Sequence, residues 1–206
     1  MALEVWLAFA FASLVLLAIP GPTVLLVVSY ALARGRSSAW ATVPGVTLGD
    51  FTAITASLLG AGALLQASAT LFTILKLVGA AYLIWLGIQT WRAPSSLNGL
   101  NNKPGAAAGS GRMFRNAYVV TALNPKSILF FVTFVPQFID PARPLLMQFV
   151  ILEATFLVLA TLNIILWALM ASEIRARWPA TLRHANRIGG VFLITAGILS
   201  VALRRA

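Results

Sequence analysis

The sequence predicts an all-α integral membrane protein of six transmembrane helices, arranged as two inverted three-helix repeats with helices 1 and 4 broken at proline. Three observations carry that expectation. Of 206 residues, 60% are hydrophobic and 10% charged, whereas a soluble domain is about 25% charged. The first apolar run is interrupted by Ile19-Pro20-Gly21-Pro22-Thr23, and the fourth by Leu123-Asn124-Pro125-Lys126. Each break is then followed, 28 positions after its proline, by an acid inside the next apolar run: Asp50 after Pro22, and Glu153 after Pro125.

The apolar runs cover residues 5–33, 40–65, 70–90, 114–138, 145–171 and 187–203. A bilayer crossing takes about 20 residues. Residues 1–19 hold Glu4 but no Lys or Arg, so they read as retained helix rather than a cleaved leader. Within the first run, two prolines around a glycine interrupt the backbone ladder at mid-depth. Lipid cannot satisfy the freed groups, so such a break must face protein or a water-filled cavity. In transporters, cavities of this kind bind substrate.

Between the runs, charge alternates. Arg34, Arg36, Arg92, Lys103, Arg112, Arg115, Arg175, Arg177, Arg183 and Arg187 fall on one side, against Arg143, Arg204 and Arg205 on the other. The positive-inside rule therefore turns both termini outward. It also accounts for the formal net charge of +10. No basic patch with interleaved aromatics argues for nucleic acid as a partner. Residues 93–111, rich in Pro, Gly, Asn, Ser and Ala, read as a flexible cytoplasmic linker. The expected organisation is a first repeat over 1–92, a linker over 93–113 and a second repeat over 114–206.

The third runs also correspond. Gly79, Leu83, Ile84, Gly87 and Ile88 match Gly189, Leu193, Ile194, Gly197 and Ile198, with the offset growing from 103 to 110. Three helices is an odd number, so the second copy must enter the membrane inverted. That is an architecture of secondary carriers, in which one bundle rocks against the other around a central site.

Asp50 and Glu153 are costly as ionised groups at such depth, and both are candidates for ion coupling. Each could instead do no more than cap a backbone donor freed by a break. Lys126 could hold a substrate carboxylate or pair with one of those acids. The half-helices after the breaks aim their N-terminal amides at mid-membrane, where the positive dipole end attracts an anionic group, and Thr23 and Ser127 are placed to cap them. Gly45 and Gly49 form a GxxxG pair suited to close helix packing within the chain. The chain has no cysteine and one histidine, His184, which excludes disulfides and thiolate metal sites; no metal centre and no cofactor are expected. HExxH, Walker and GxSxG motifs are absent. Thr47-Leu48-Gly49-Asp50 approaches the GxGD signature of intramembrane aspartyl proteases, but Thr47 replaces the first glycine and Asp140 lies in a loop. An enzyme is therefore not expected.

Pro20-Gly21-Pro22, Arg34-Gly35-Arg36, Gly45, Leu48-Gly49-Asp50 and Gly60 resemble the first half of the LysE/RhtB amino-acid exporters. So do Gly79-Ala80-Ala81-Tyr82-Leu83 with Gly87, Asn124-Pro125-Lys126, Phe130-Phe131 and Pro136-Gln137-Phe138. The likeness spans nearly the whole chain. It implies an inner-membrane, proton-driven exporter of small amino acids or close derivatives, with Pro20, Gly21, Pro22, Gly45, Gly49, Asp50, Asn124, Pro125 and Lys126 as the matching positions. Thr23 departs from the Asn or Asp common there in the family, and Ala39 from a common glycine, which leaves the substrate's identity open. The expected partners are an amino acid and membrane lipid, and a homo-oligomer is compatible with the sequence. The alternatives are a cation or metal-ion exporter and, more remotely, an intramembrane aspartyl-type enzyme.

Overall fold

The computed structural model describes residues 1–67, 69–92, 109–140, 142–171, 191, 193–195 and 197–198. The chain is helical, and no strand occurs among the described residues. Helices α1 (Leu3–Ala18) and α2 (Pro22–Arg34) form the first broken run, bent by 53°. Then come α3 (Ala39–Ala67) and α4 (Ala69–Arg92). The second broken run comprises α5 (Ser110–Ala122) and α6 (Pro125–Thr133), followed by a 3-10 turn at Val135–Phe138, and is bent by 41°. Helix α7 (Leu145–Leu169) follows.

Proline sets both breaks. Pro22 and Pro125 each occupy the first turn of the second half-helix, where a missing N–H costs nothing. The caps are not the expected hydroxyls. Gly21, in extended conformation, precedes α2 without a side-chain cap. Asn124 caps α6, its side-chain oxygen accepting from the Lys126 amide at 3.1 Å. Thr23 and Ser127 lie two and three positions past the caps, inside helices that each proline has already begun. Asn124→Ala is expected to cost about 1 kcal/mol through the lost cap, read as a lower thermal midpoint of the detergent-purified protein. Helix α2 ends at Gly35, whose φ of 76° lies in the left-handed region that glycine tolerates.

Among the described residues, α7 is long and apolar enough to cross a membrane, and each bent pair is so as a single broken span. Helices α3 and α4 have the length, 29 and 24 residues. Three of the six expected crossings thus meet the test, and most of the sixth run, 187–203, lies outside the described residues. The linker residues 93–108 do so too, and α5 starts at Ser110, ahead of the expected boundary.

Each long helix packs on the broken pair of the other half: α3 against α5 and α6, and α7 against α1 and α2. Gly45 and Gly49 make the first contact possible. A Cβ on Gly45 would lie 2.5 Å from the Phe114 carbonyl, and one on Gly49 2.8 Å from the Tyr118 carbonyl. Between α3 and α7, Thr47 and Thr161 share a hydrogen bond of 2.9 Å, and the Thr55 hydroxyl donates to the Glu153 carboxyl. The second bond lies eight residues further along one helix and eight back along the other, so the pair is antiparallel. On one side of the breaks the core is aromatic, with Phe131 edge-on to Phe156 at 4.7 Å and Phe9 to Phe138 at 5.4 Å. On the other side it is aliphatic, built from Val24, Val27, Val28, Val46 and Ile164.

Candidate functional site

The breaks meet. Thr23, just inside α2, accepts hydrogen bonds from Thr121 at 3.2 Å and from the Asn124 amide at 3.4 Å, both from the second broken run. The chain order alone separates these partners by about a hundred residues; the packing of α3 and α7 across the halves brings them together.

The first break frees carbonyls at the end of α1, and side chains from the other half satisfy them. Leu16 would ordinarily accept from residue 20, but Pro20 has no N–H. Its carbonyl instead accepts from the Lys126 ammonium at 3.1 Å, as well as from the Ile19 amide at 3.3 Å. Ile19 lies outside both half-helices, and its carbonyl accepts from the same ammonium at 2.9 Å. The Leu17 carbonyl accepts from the side-chain amide of Asn163, on α7, at 3.2 Å. Gly21 borders this contact, with a Cβ there falling 3.4 Å from Lys126 Nζ, in ordinary contact.

These groups enclose a cavity of about 30 Å³ lined by Gly21, Thr23, Asn124, Lys126 and Ser127 from the breaks, by Asp50 and Val46 from α3, and by Ala160, Asn163 and Ile164 from α7. That volume holds about two waters, so a larger ligand requires the walls to part. Asp50 is 5% exposed, and its carboxyl has no hydrogen-bond partner among the described residues. It interacts electrostatically with Lys126, yet the ammonium is spent on carbonyls rather than on a direct ion pair. A buried carboxylate aimed into a polar cavity beside a cation is suited to holding a ligand's positive group.

The other expected residues fall elsewhere. Pro20, Pro22 and Pro125 shape the breaks without lining the cavity, and Gly45 and Gly49 seat α3 on α5. Glu153 is half-buried and held by Thr55, away from the cavity to which its counterpart Asp50 contributes. Asn163 is the residue that the sequence reading missed. Its signal was an amide inside the long apolar helix α7, where a polar group needs a partner.

A helix broken at proline, with its freed carbonyls held from the other half, is a transport-type arrangement, and the comparisons agree. The family model described as LysE type translocator matches residues 14–203. The chain belongs to that family. A homoserine/homoserine lactone efflux protein of Salmonella typhi is 34% identical over 208 residues, covering 100% of both chains. An uncharacterized membrane protein of Vibrio cholerae is 32% identical over 203 residues, 97% of each. A leucine efflux protein of Enterobacter sp. is 34% identical over 123 residues, 59% of this chain and 57% of that one. The translocators of this family are membrane proteins, and this chain has the broken apolar spans to be one. No solved structure matches it.

Proposed function

We propose that this chain is a secondary carrier that exports small amino acids or close derivatives across the inner membrane, coupled to protons, with both termini outward. The observation that carries the proposal is the meeting of two proline breaks around a cavity that holds Asp50 and Lys126. The printed names of the relatives in homoserine and leucine efflux support the substrate class.

The carrier is a six-span inverted repeat, with halves at 1–92 and 114–206 and a cytoplasmic linker over 93–113. The antiparallel pairing of α3 with α7, and the packing of each on the opposite half's broken pair, support that symmetry. Pro20, Gly21, Pro22, Thr23, Asn124, Pro125, Lys126 and Ser127 form the substrate site. The half-helix amides and Lys126 hold the carboxylate. Asp50 receives the ammonium or the coupling proton, with Glu153 the matching acid of the second half.

The test is efflux from cells loaded with mixed dipeptides, comparing wild type, Asp50→Asn and an empty vector. Faster loss of one or a few amino acids in the wild type alone supports the carrier. Equal loss in all three, with the protein present in the membrane, rejects it.

A further inference from the structure

In this structure the Lys126 ammonium is already engaged. It has three donors, and two of them rest on the carbonyls of Leu16 and Ile19 at 3.1 and 2.9 Å. Pro20 denies the Leu16 carbonyl its usual donor, and Ile19 lies outside both half-helices, so the ammonium supplies what the helix ladder does not. The same ammonium belongs to the first turn of α6, where Lys126 and Ser127 both line the cavity. A single contact therefore ties the end of α1, in the first half, to the start of α6, in the second.

We propose that an α-amino-acid zwitterion binds by splitting this contact: its ammonium takes the Leu16 and Ile19 carbonyls, and its carboxylate takes the ammonium of Lys126. The inference rests on the carrier function proposed above and states what its site selects. A zwitterion inherits both halves of the contact it separates, so no buried group is left without a partner. An amine lacking the carboxylate would set two ammonium ions against each other in a small cavity. A carboxylate lacking the amine would draw Lys126 away, leaving the Leu16 carbonyl with the Ile19 amide alone and the Ile19 carbonyl without its donor. Asp50, on the α3 wall, lines the same cavity and remains for the ligand ammonium's third donor or for the coupling proton. Splitting the contact also enlarges the cavity, which is too small for an amino acid as it stands, and it frees the end of α1 from the start of α6. Ligand entry and the release of α1 from α6 are then one event.

The experiment is equilibrium competition on the detergent-purified full chain, with labelled homoserine and labelled leucine as probes. Each probe is challenged with itself, with its decarboxylated amine (3-aminopropan-1-ol or 3-methylbutan-1-amine) and with its N-acetyl derivative. In the wild type, both analogues are expected to compete roughly tenfold or more weakly than the amino acid, the loss of one charged hydrogen bond. In Lys126→Met, the gap between amino acid and amine closes to about twofold. Lys126→Arg, which keeps the cation, retains the gap. An amine that competes as well as its amino acid in the wild type overturns the proposal, as does a gap that survives in Lys126→Met. If Lys126→Met does not fold, the wild-type competition and Lys126→Arg still decide. Export by wild-type proteoliposomes separates the two levels. With neither amino acid exported, the proposed function falls and this inference with it; with export intact and no discrimination, this inference alone falls.

Discussion

Asp50→Asn is expected to reduce amino-acid efflux by about ten- to hundredfold, while Glu153→Gln leaves most of it. The two acids occupy equivalent positions, each 28 residues after the proline of its break. Their surroundings separate them. Asp50 lines the cavity shared with Lys126 and has no hydrogen-bond partner among the described residues, whereas Glu153 is held by Thr55 outside that cavity. A charged hydrogen bond to a ligand is worth about 1.5–3 kcal/mol, which sets the size of the Asp50 effect. Asparagine keeps the volume and removes the charge, so a loss of transport in protein that still reaches the membrane reports chemistry rather than misfolding. Equal losses in the two variants would mean that both acids act in one proton path. No loss in either would remove the carboxylates from the mechanism.

Gly49→Ala is expected to destabilise the protein by about 1–3 kcal/mol, as overpacking does, and Gly60→Ala to stabilise it by about 0.5–1 kcal/mol. Both glycines lie in α3, so the intrinsic preference for alanine in a helix is the same at each. At Gly49 the new methyl would meet the Thr121 Cβ and the Tyr118 carbonyl at 2.8 Å, and that carbonyl belongs to the backbone of α5, which cannot turn aside. At Gly60 nothing lies within 4 Å. Thermal midpoints of the two variants in detergent should therefore move in opposite directions. A fall in both would show that α3 packs on its surroundings more tightly at Gly60 than the structure has it.

Much of this arrangement was legible before any coordinates. The breaks at Pro20-Gly21-Pro22 and Asn124-Pro125 fall where the sequence predicts them, whereas Pro44, near the start of α3, leaves its helix continuous. Asp50 stands out because a charge in a long apolar segment needs a reason. The helix ends were less legible. Thr23 and Ser127 are good capping types, yet a proline at the first helical position moves the cap back to Gly21 and Asn124. Asn163 could not be assigned at all, because its partner is a main-chain carbonyl, Leu17, and carbonyls leave no mark in the composition. The same holds for Lys126. Substrate, Asp50 and Glu153 were its expected partners, and the Leu16 and Ile19 carbonyls that it holds were not among them. Side-chain partners can be guessed from residue types; main-chain partners require the path of the chain.

The carbonyls at the end of α1 also bear on how the protein is made. Lys126 lies 107 and 110 residues beyond the carbonyls it holds, and Asn163 146 residues beyond Leu17. During synthesis, the first broken span therefore enters the bilayer well before the groups that complete it exist. Until the second half arrives, its open turn must borrow donors from water or from the insertion machinery. An N-terminal half made alone would keep that open turn and be a ready substrate for membrane quality-control proteolysis, and co-expression of the missing half would relieve it.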